Sequence, residues 1–313
     1  MSKTKVLICG ANGFIGRNLF EHFNSDDGYE TYGTYFKNKP NVFSPRIFQA
    51  DLRDKDEALR ATQGMDIVIN AAALTDGMGA FDPTTYIPQN RVINNNLIEA
   101  AHINRVKHFI FLSCTVMYPS SERPLKEDEY DLNNVHPKYK EGAQMKLEGE
   151  CLCLSYANLG ITKYTAIRHT NIYGPYDKFD LKRGHVLPAT ITKVMEAKDK
   201  ITVWGNEKES RDFLYIDDLA KFIEKAIENQ KNNFELFNVG YGKTCSVNKL
   251  VQKIIFCSGK KLDVVHDLEK PTVETHMNID VKKANNVLGW KAEIGLSEGL
   301  VITLDWYHNH YPR

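Results

Sequence analysis

Nothing in this 313-residue chain points to a metal, a membrane or a polyanion. Its six cysteines make no Cys-x-x-Cys pair and no Cys/His cluster with zinc spacing, so a protein metal site has no support. Cys9, Cys114, Cys151, Cys153, Cys245 and Cys257 stand instead in apolar or helical stretches and read as buried, reduced thiols. Forty basic residues against forty acidic ones leave no net field to draw nucleic acid or an anionic membrane surface. No apolar run approaches the roughly 20 residues that span a bilayer. The N-terminus, Met1 to Cys9, enters a strand pattern at once and shows no small-residue cleavage site. A cytoplasmic chain without a signal peptide is expected. Internal repeats, low-complexity tracts and long linkers are missing too. What remains is 42% hydrophobic residues with ordinary Gly and Pro, enough apolar mass for a sizeable core.

Short apolar runs at 5–9, 29–35, 47–50, 66–72, 108–113 and 162–168 read as strands. Helical patterns at 15–23, 54–62, 89–103, 137–158 and 217–229 fall between or after them. Two of the strands are nearly continuous in Val, Ile or Phe, as expected when helices cover both faces of a parallel sheet. Repeated β-α alternation predicts an α/β fold with a doubly wound parallel sheet and ligands at the strands' carboxyl ends. From about Asn171 the pattern becomes irregular, punctuated by Pro175, Pro188 and Gly205. The expected division is a dinucleotide-binding Rossmann domain over 1–170 plus about 211–240. A smaller C-terminal substrate-binding lobe takes 171–210 and 241–313.

Gly10-Ala11-Asn12-Gly13-Phe14-Ile15-Gly16 follows the first strand and opens the first helix. Gly10 permits a tight turn, Gly13 lets backbone amides approach a pyrophosphate, and Gly16 lets the helix pack close to the sheet. The helix start then attracts phosphate charge. Asp51-Leu52-Arg53 follows the third strand, where a carboxylate suits the adenine amino group. Asn70-Ala71-Ala72-Ala73 ends the fourth with small residues that leave room for a flat cofactor. The second strand runs into Thr34-Tyr35-Phe36-Lys37-Asn38-Lys39 without the acid that usually binds NAD ribose hydroxyls. NADP(H) is therefore preferred, with Lys37 as its charge partner, and NAD(H) is the alternative. The plain alternative for Lys37 and Lys39 is a pair of solvated loop lysines.

Together these segments resemble the extended short-chain dehydrogenase/reductase, NAD-dependent epimerase/dehydratase family. Later ones narrow the likeness to its GDP-L-fucose synthase-like, GDP-sugar branch: Arg168-His169-Thr170-Asn171-Ile172-Tyr173-Gly174-Pro175, Gly184-His185-Val186-Leu187-Pro188, Val203-Trp204-Gly205, and Arg211 to Asp218. The resemblance implies an enzyme acting near C4 of a nucleotide-linked sugar. Asn171, Val186 and Arg211 would face that substrate, the last as a bidentate partner for its phosphate. The alternative for Arg211 is a salt bridge to Asp217 or Asp218. His185 would sit over the sugar as proton donor or acceptor, which its near-neutral pKa suits, or else serve as a structural loop histidine. A homodimer is implied, paired through helices 89–103 and 137–158, with Cys151 and Cys153 near the seam.

The family's Tyr-x-x-x-Lys pair is broken here. Lys146, the family lysine that holds the nicotinamide ribose, is present, but four residues earlier stands Gly142 where the phenol belongs. An interior helix glycine costs about 1 kcal/mol against alanine, so its presence needs a purpose. The family Ser or Thr falls on Cys114, whose thiol donates poorly, with Ser113 and Thr115 as neighbours that a shifted loop would recruit. Three readings stay open. Tyr139 reaches in from one turn earlier over the space left by Gly142; His185, Tyr118 or Cys114 moves the proton; or the site binds cofactor and sugar with little or no turnover.

Overall fold

The computed structural model describes residues 3–38, 44–75, 83–204, 209–267, 269 and 275–311. Lys39 and Gly205, both used above, lie outside them. The strands of the first half are β1 (Thr4–Cys9), β2 (Tyr29–Tyr35), β3 (Ile47–Gln49), β4 (Ile67–Asn70), β5 (His108–Leu112), β6 (Ser121–Leu125) and β7 (Lys163–His169). Those of the second half are β8 (Asn171–Tyr173), β9 (Lys200–Trp204), β10 (Ser210–Tyr215), β11 (Phe234–Val239), β12 (Thr244–Ser246), β13 (Asp263–Asp267) and β14 (His276–Ile279). The helices are α1 (Phe14–Ser25), α2 (Lys55–Thr62), α3 (Pro83–Ile103), α4 (Lys140–Ala157) and α5 (Val186–Glu196). After them come α6 (Ile216–Asn229), α7 (Val247–Cys257), α8 (Lys282–Leu288) and α9 (Leu296–His310).

Seven parallel strands in the order β11-β7-β5-β4-β1-β2-β3 make the main sheet. Its central strands are buried on both faces, which is why they read as unbroken apolar runs. Alternation along each strand splits the core in two. Leu7, Val68, Phe109 and Phe111 face Leu97, Ala101 and Cys153 of α3 and α4. Val6, Ile8, Ile69 and Ile110 face Leu19, Phe23, Phe222 and Ala226 of α1 and α6. The strand order reverses between β1 and β4, so a crevice opens at their carboxyl ends, where doubly wound sheets place ligands.

The elements of the first half follow the expected pattern with shifted ends. The helix expected from Gln89 begins six residues earlier at Pro83, because Pro88 falls in the second turn, where its missing N–H removes one bond without stopping the helix. The stretch 137–158 opens with a 3-10 turn, Pro137–Tyr139, before α4. The irregular second half holds a mixed sheet, β12-β10-β14-β6 with β8 on β10, and a two-stranded sheet of β13 and β9. The all-buried thiol expectation needs correction, since Cys114, Cys245 and Cys257 are only half-buried. Cys9 and Cys153 are buried, but Cys151 is exposed on the outer side of α4. Among the described residues, no helix is long and apolar enough to cross a membrane and no group of three or more potential ligands forms a metal site.

Candidate active site

The glycine loop is built by close approach. Gly10 has φ +79°, and a Cβ there would lie 2.8 Å from Ala72 Cα and 3.0 Å from Ala71 O. A Cβ on Gly16 would come within 2.1 Å of the Gly10 carbonyl oxygen, so only glycine lets α1 start this near the turn. No side chain caps α1 at Gly13, and no acid stands in its first turn. Its first amides, at Phe14 and Ile15, thus present positive dipole ends with no competing carboxylate, a cradle fitted to a diphosphate. Asn12 Nδ2 donates to the Asn38 carbonyl at 2.8 Å and ties the loop to the end of β2.

Across the crevice, Ala71 and Ala72 are held by groups that the sequence reading did not single out. Asn70 Oδ1 accepts from Ala72 N, Asn94 Oδ1 accepts from Asn70 Nδ2, and Asn90 clamps both backbone groups of Leu74. Asn90 and Asn94 lie one helical turn apart in α3, a spacing that was visible but carried no motif.

At the end of β2 the ring of Phe36 is flanked by two cations. The Arg53 guanidinium lies 4.5 Å from its centroid and Lys37 Nζ 5.1 Å. Lys37 is exposed, as a partner for a solvent-side phosphate should be. The Asp51 carboxylate is not the free acceptor expected for adenine. Arg53 grips it through Nε (2.8 Å) and Nη2 (2.7 Å), and those hydrogen bonds hold its pKa below the usual carboxylate range. Leu52 buries its side chain in the core, which leaves only its backbone for a ligand.

The third wall is the carboxyl edge of β5 and β7. Lys146 Nζ donates to the Leu112 carbonyl at 2.6 Å, and burial pushes its ammonium pKa down. One turn on, Glu150 forms a buried bidentate pair with Arg168 of β7, at 3.0 Å and 2.6 Å, and accepts from Ser113 Oγ at 2.5 Å. This network fixes the register of α4 on the sheet, and with it the position of Lys146. Ser113 is thereby engaged and does not replace the family hydroxyl. Tyr118 is excluded as a proton donor as well: its hydroxyl donates to Asn238, accepts from Arg168, and burial pushes its pKa up to about 12.

Cys114 is half-buried beside Lys146, and burial raises its thiol pKa. Thr115 is buried next to it. At Gly142 a Cβ would meet nothing within 4 Å. Tyr139 does not lie free beside it. Its ring packs in a small cluster with Val116, Met117 and Ala143, and against the His136 ring at 5.8 Å.

His185 is the exposed N-cap residue of α5, with Val186 half-buried behind it. Asn171 donates from Nδ2 to the Asp212 carbonyl at 3.1 Å. Arg211 pairs with Glu209 at 2.7 Å and donates to Thr275 Oγ1, not to Asp217 or Asp218. Asp218 instead accepts from the amides of Glu293 and Ile294, which removes it from Arg211's reach as a partner.

Residues 6–240 match the model of the "NAD dependent epimerase/dehydratase family". The chain belongs to that family. It is similar to GDP-L-fucose synthase of Escherichia coli (strain K12), at 31% identity covering 100% of this chain and 99% of the relative. It is also similar to GDP-mannose 3,5-epimerase of Arabidopsis thaliana, at 30% identity over 96% of this chain and 81% of the relative. Among solved structures, UDP-N-acetylglucosamine 4-epimerase from Methanobrevibacter ruminantium M1 superposes with a TM-score of 0.86 at 25% identity, covering 99% of each chain. As a member of the epimerase/dehydratase family the chain is an enzyme with the Rossmann-like sheet of its relatives.

Proposed function

We propose that this enzyme transfers hydride between NADP(H) and the C4 region of a nucleotide-linked hexose or heptose, with GDP as the nucleotide. The observation that carries the reading is the loop of Gly10 to Gly16, packed against Ala71 and Ala72 with an uncapped helix start, on the same sheet edge as Lys146. The residues fit a dinucleotide: the amides of Phe14 and Ile15 take its phosphates, the small Ala71 and Ala72 lie along it, and Lys146 binds the nicotinamide ribose. The cofactor supplies hydride acceptance and donation; the chain supplies everything else.

Lys37 and Arg53 at the Phe36 ring favour a 2′-phosphate over a bare ribose, with Arg53 an addition to the sequence reading. Arg211 would exchange Glu209 and Thr275 for a substrate phosphate, and Asn171, His185 and Val186 line the sugar side. The substrate-binding lobe assigned to 171–210 and 241–313 supplies Asn171, His185 and Val186, while Arg211 comes from the segment grouped with the Rossmann domain. That relatives are named for GDP sugars supports GDP as the nucleotide. Val92, Ile103 and Leu154, exposed on α3 and α4, support pairing of two copies through those helices, and a sedimentation mass of one chain would remove that part.

Incubation with NADPH and a panel of GDP-4-keto sugars should oxidise the cofactor, and more slowly with NADH. A second reading, a nucleotide-sugar binder with little or no turnover, is favoured by the open space at Gly142 and the thiol at Cys114. Silence across the panel with cofactor still bound would favour it, above all if Gly142→Tyr then creates activity.

A further inference from the structure

Hydride transfer at a sugar carbon requires a proton to leave or join its oxygen, and the family phenol that would handle it is absent here. Ser113 and Tyr118 are tied into the buried Glu150–Arg168 network. Burial moves the Cys114 thiol away from a thiolate, and a Thr115 hydroxyl is not a base near neutral pH. Besides His185 at the start of α5, a second histidine stands on this edge. His169 is the last residue of β7, two residues beyond Ile167, which forms the last pair with Leu112 of β5. The strand on its other side is β11, through Val239.

Its tautomer is set by geometry. Nδ1 lies 2.8 Å from the Thr170 carbonyl oxygen, and a carbonyl only accepts, so Nδ1 carries the proton. The neutral ring therefore has its lone pair on Nε2, for which no partner exists among the described residues. The ring is half-buried, and the charges of Lys146 on α4 and His185 at the start of α5 both act on it. Burial pushes its pKa down to about 4 against the opposing hydrogen bond to the Thr170 carbonyl, with Lys146 and His185 adding to the depression, and this keeps Nε2 unprotonated at neutral pH.

We propose that His169 Nε2 is the proton acceptor and donor of the hydride-transfer step, in the role that the phenol at position 142 has in the family. The inference rests on the function proposed above. In the oxidative direction a bound oxidised nicotinamide would supply acceptance of the sugar C–H pair as hydride. The O–H bond breaks, its electrons form the C=O bond, and the proton passes to Nε2. The resulting imidazolium keeps its Nδ1–H on the Thr170 carbonyl and returns the proton to solvent. Reduction runs the same steps backwards. A substrate diphosphate brings the negative charge this edge lacks and raises the imidazolium pKa towards neutrality.

His169→Asn keeps a donor for the Thr170 carbonyl and removes the basic nitrogen. Its kcat should fall by about 10²–10⁴-fold with KM and NADPH-induced fluorescence quenching unchanged. Adding Gly142→Tyr to that variant should recover part of the loss, since a Cβ there meets nothing within 4 Å and a purely structural histidine would not be rescued by a distant phenol. In the intact wild-type protein, ¹⁵N NMR should show His169 as the Nδ1–H tautomer. Its Nε2 resonance should then move when GDP-mannose is added to the NADP⁺ complex. A His169→Asn enzyme within threefold of wild-type kcat, or an Nε2 resonance unmoved by saturating GDP-mannose, overturns the assignment. A wild-type enzyme that binds neither cofactor nor GDP-mannose overturns the function beneath it.

Discussion

At the scale of single residues, burial decides which groups are available for chemistry. Lys146 and His169 are the desolvated bases of the site, while Arg53 and Asp51 neutralise one another at its adenine end. Asp177, just beyond the Tyr173-Gly174-Pro175 turn, shows the same physics without a catalytic role. Burial pushes its carboxyl up to about 7, one oxygen accepts from Lys178 N, and the other is buried without a partner. Because its folded pKa lies above the unfolded value near 3.9, its contribution is complete in acid and lost as pH rises through about 7. Asp177→Asn keeps the acceptor and cannot ionise. Its melting temperature should lie close to wild type at pH 4 and exceed it by a few degrees at pH 8. A constant difference across that range would show that Asp177 does not titrate there.

At the scale of elements, the parts legible in the sequence are those set by local periodicity. The unbroken runs of β1 and β5 announce strands covered on both faces, and the Gly10–Gly16 spacing announces the turn beneath α1. What stayed illegible depends on partners far away in the chain. That Asp51 is gripped by Arg53, or Arg211 by Glu209, follows from rotamers that no motif encodes. β6 (Ser-Glu-Arg-Pro-Leu) has no strand-like alternation at all. It exists because β14 pairs with it, some 150 residues later. His169 sits inside a motif quoted for its neighbours, and only the register of β11 against β7 shows what lies beside it. The buried Glu150–Arg168 pair is the device that carries α4 to its place. Glu150→Gln leaves the Arg168 charge uncompensated and should cost about 3–5 kcal/mol in denaturant unfolding. A loss below about 1 kcal/mol would mean that the pair does not hold the helix.

At the scale of the whole molecule, one sheet edge collects contributions from segments far apart in the chain. The loop after β1, the alanines after β4, Lys146 on α4 and His169 at the end of β7 come together because the strands are wound in the order β11-β7-β5-β4-β1-β2-β3, while Arg211 comes from β10 of the mixed sheet. The chemistry at that edge presupposes a dinucleotide in the cradle. Titration calorimetry of the purified protein, after removal of any nucleotide it carries, tests this directly. NADPH should bind more tightly than NADH, and Gly16→Val, whose side chain would collide with the Gly10 carbonyl, should abolish both signals while the protein stays folded. A wild-type protein that takes up neither dinucleotide would contradict the account at its root.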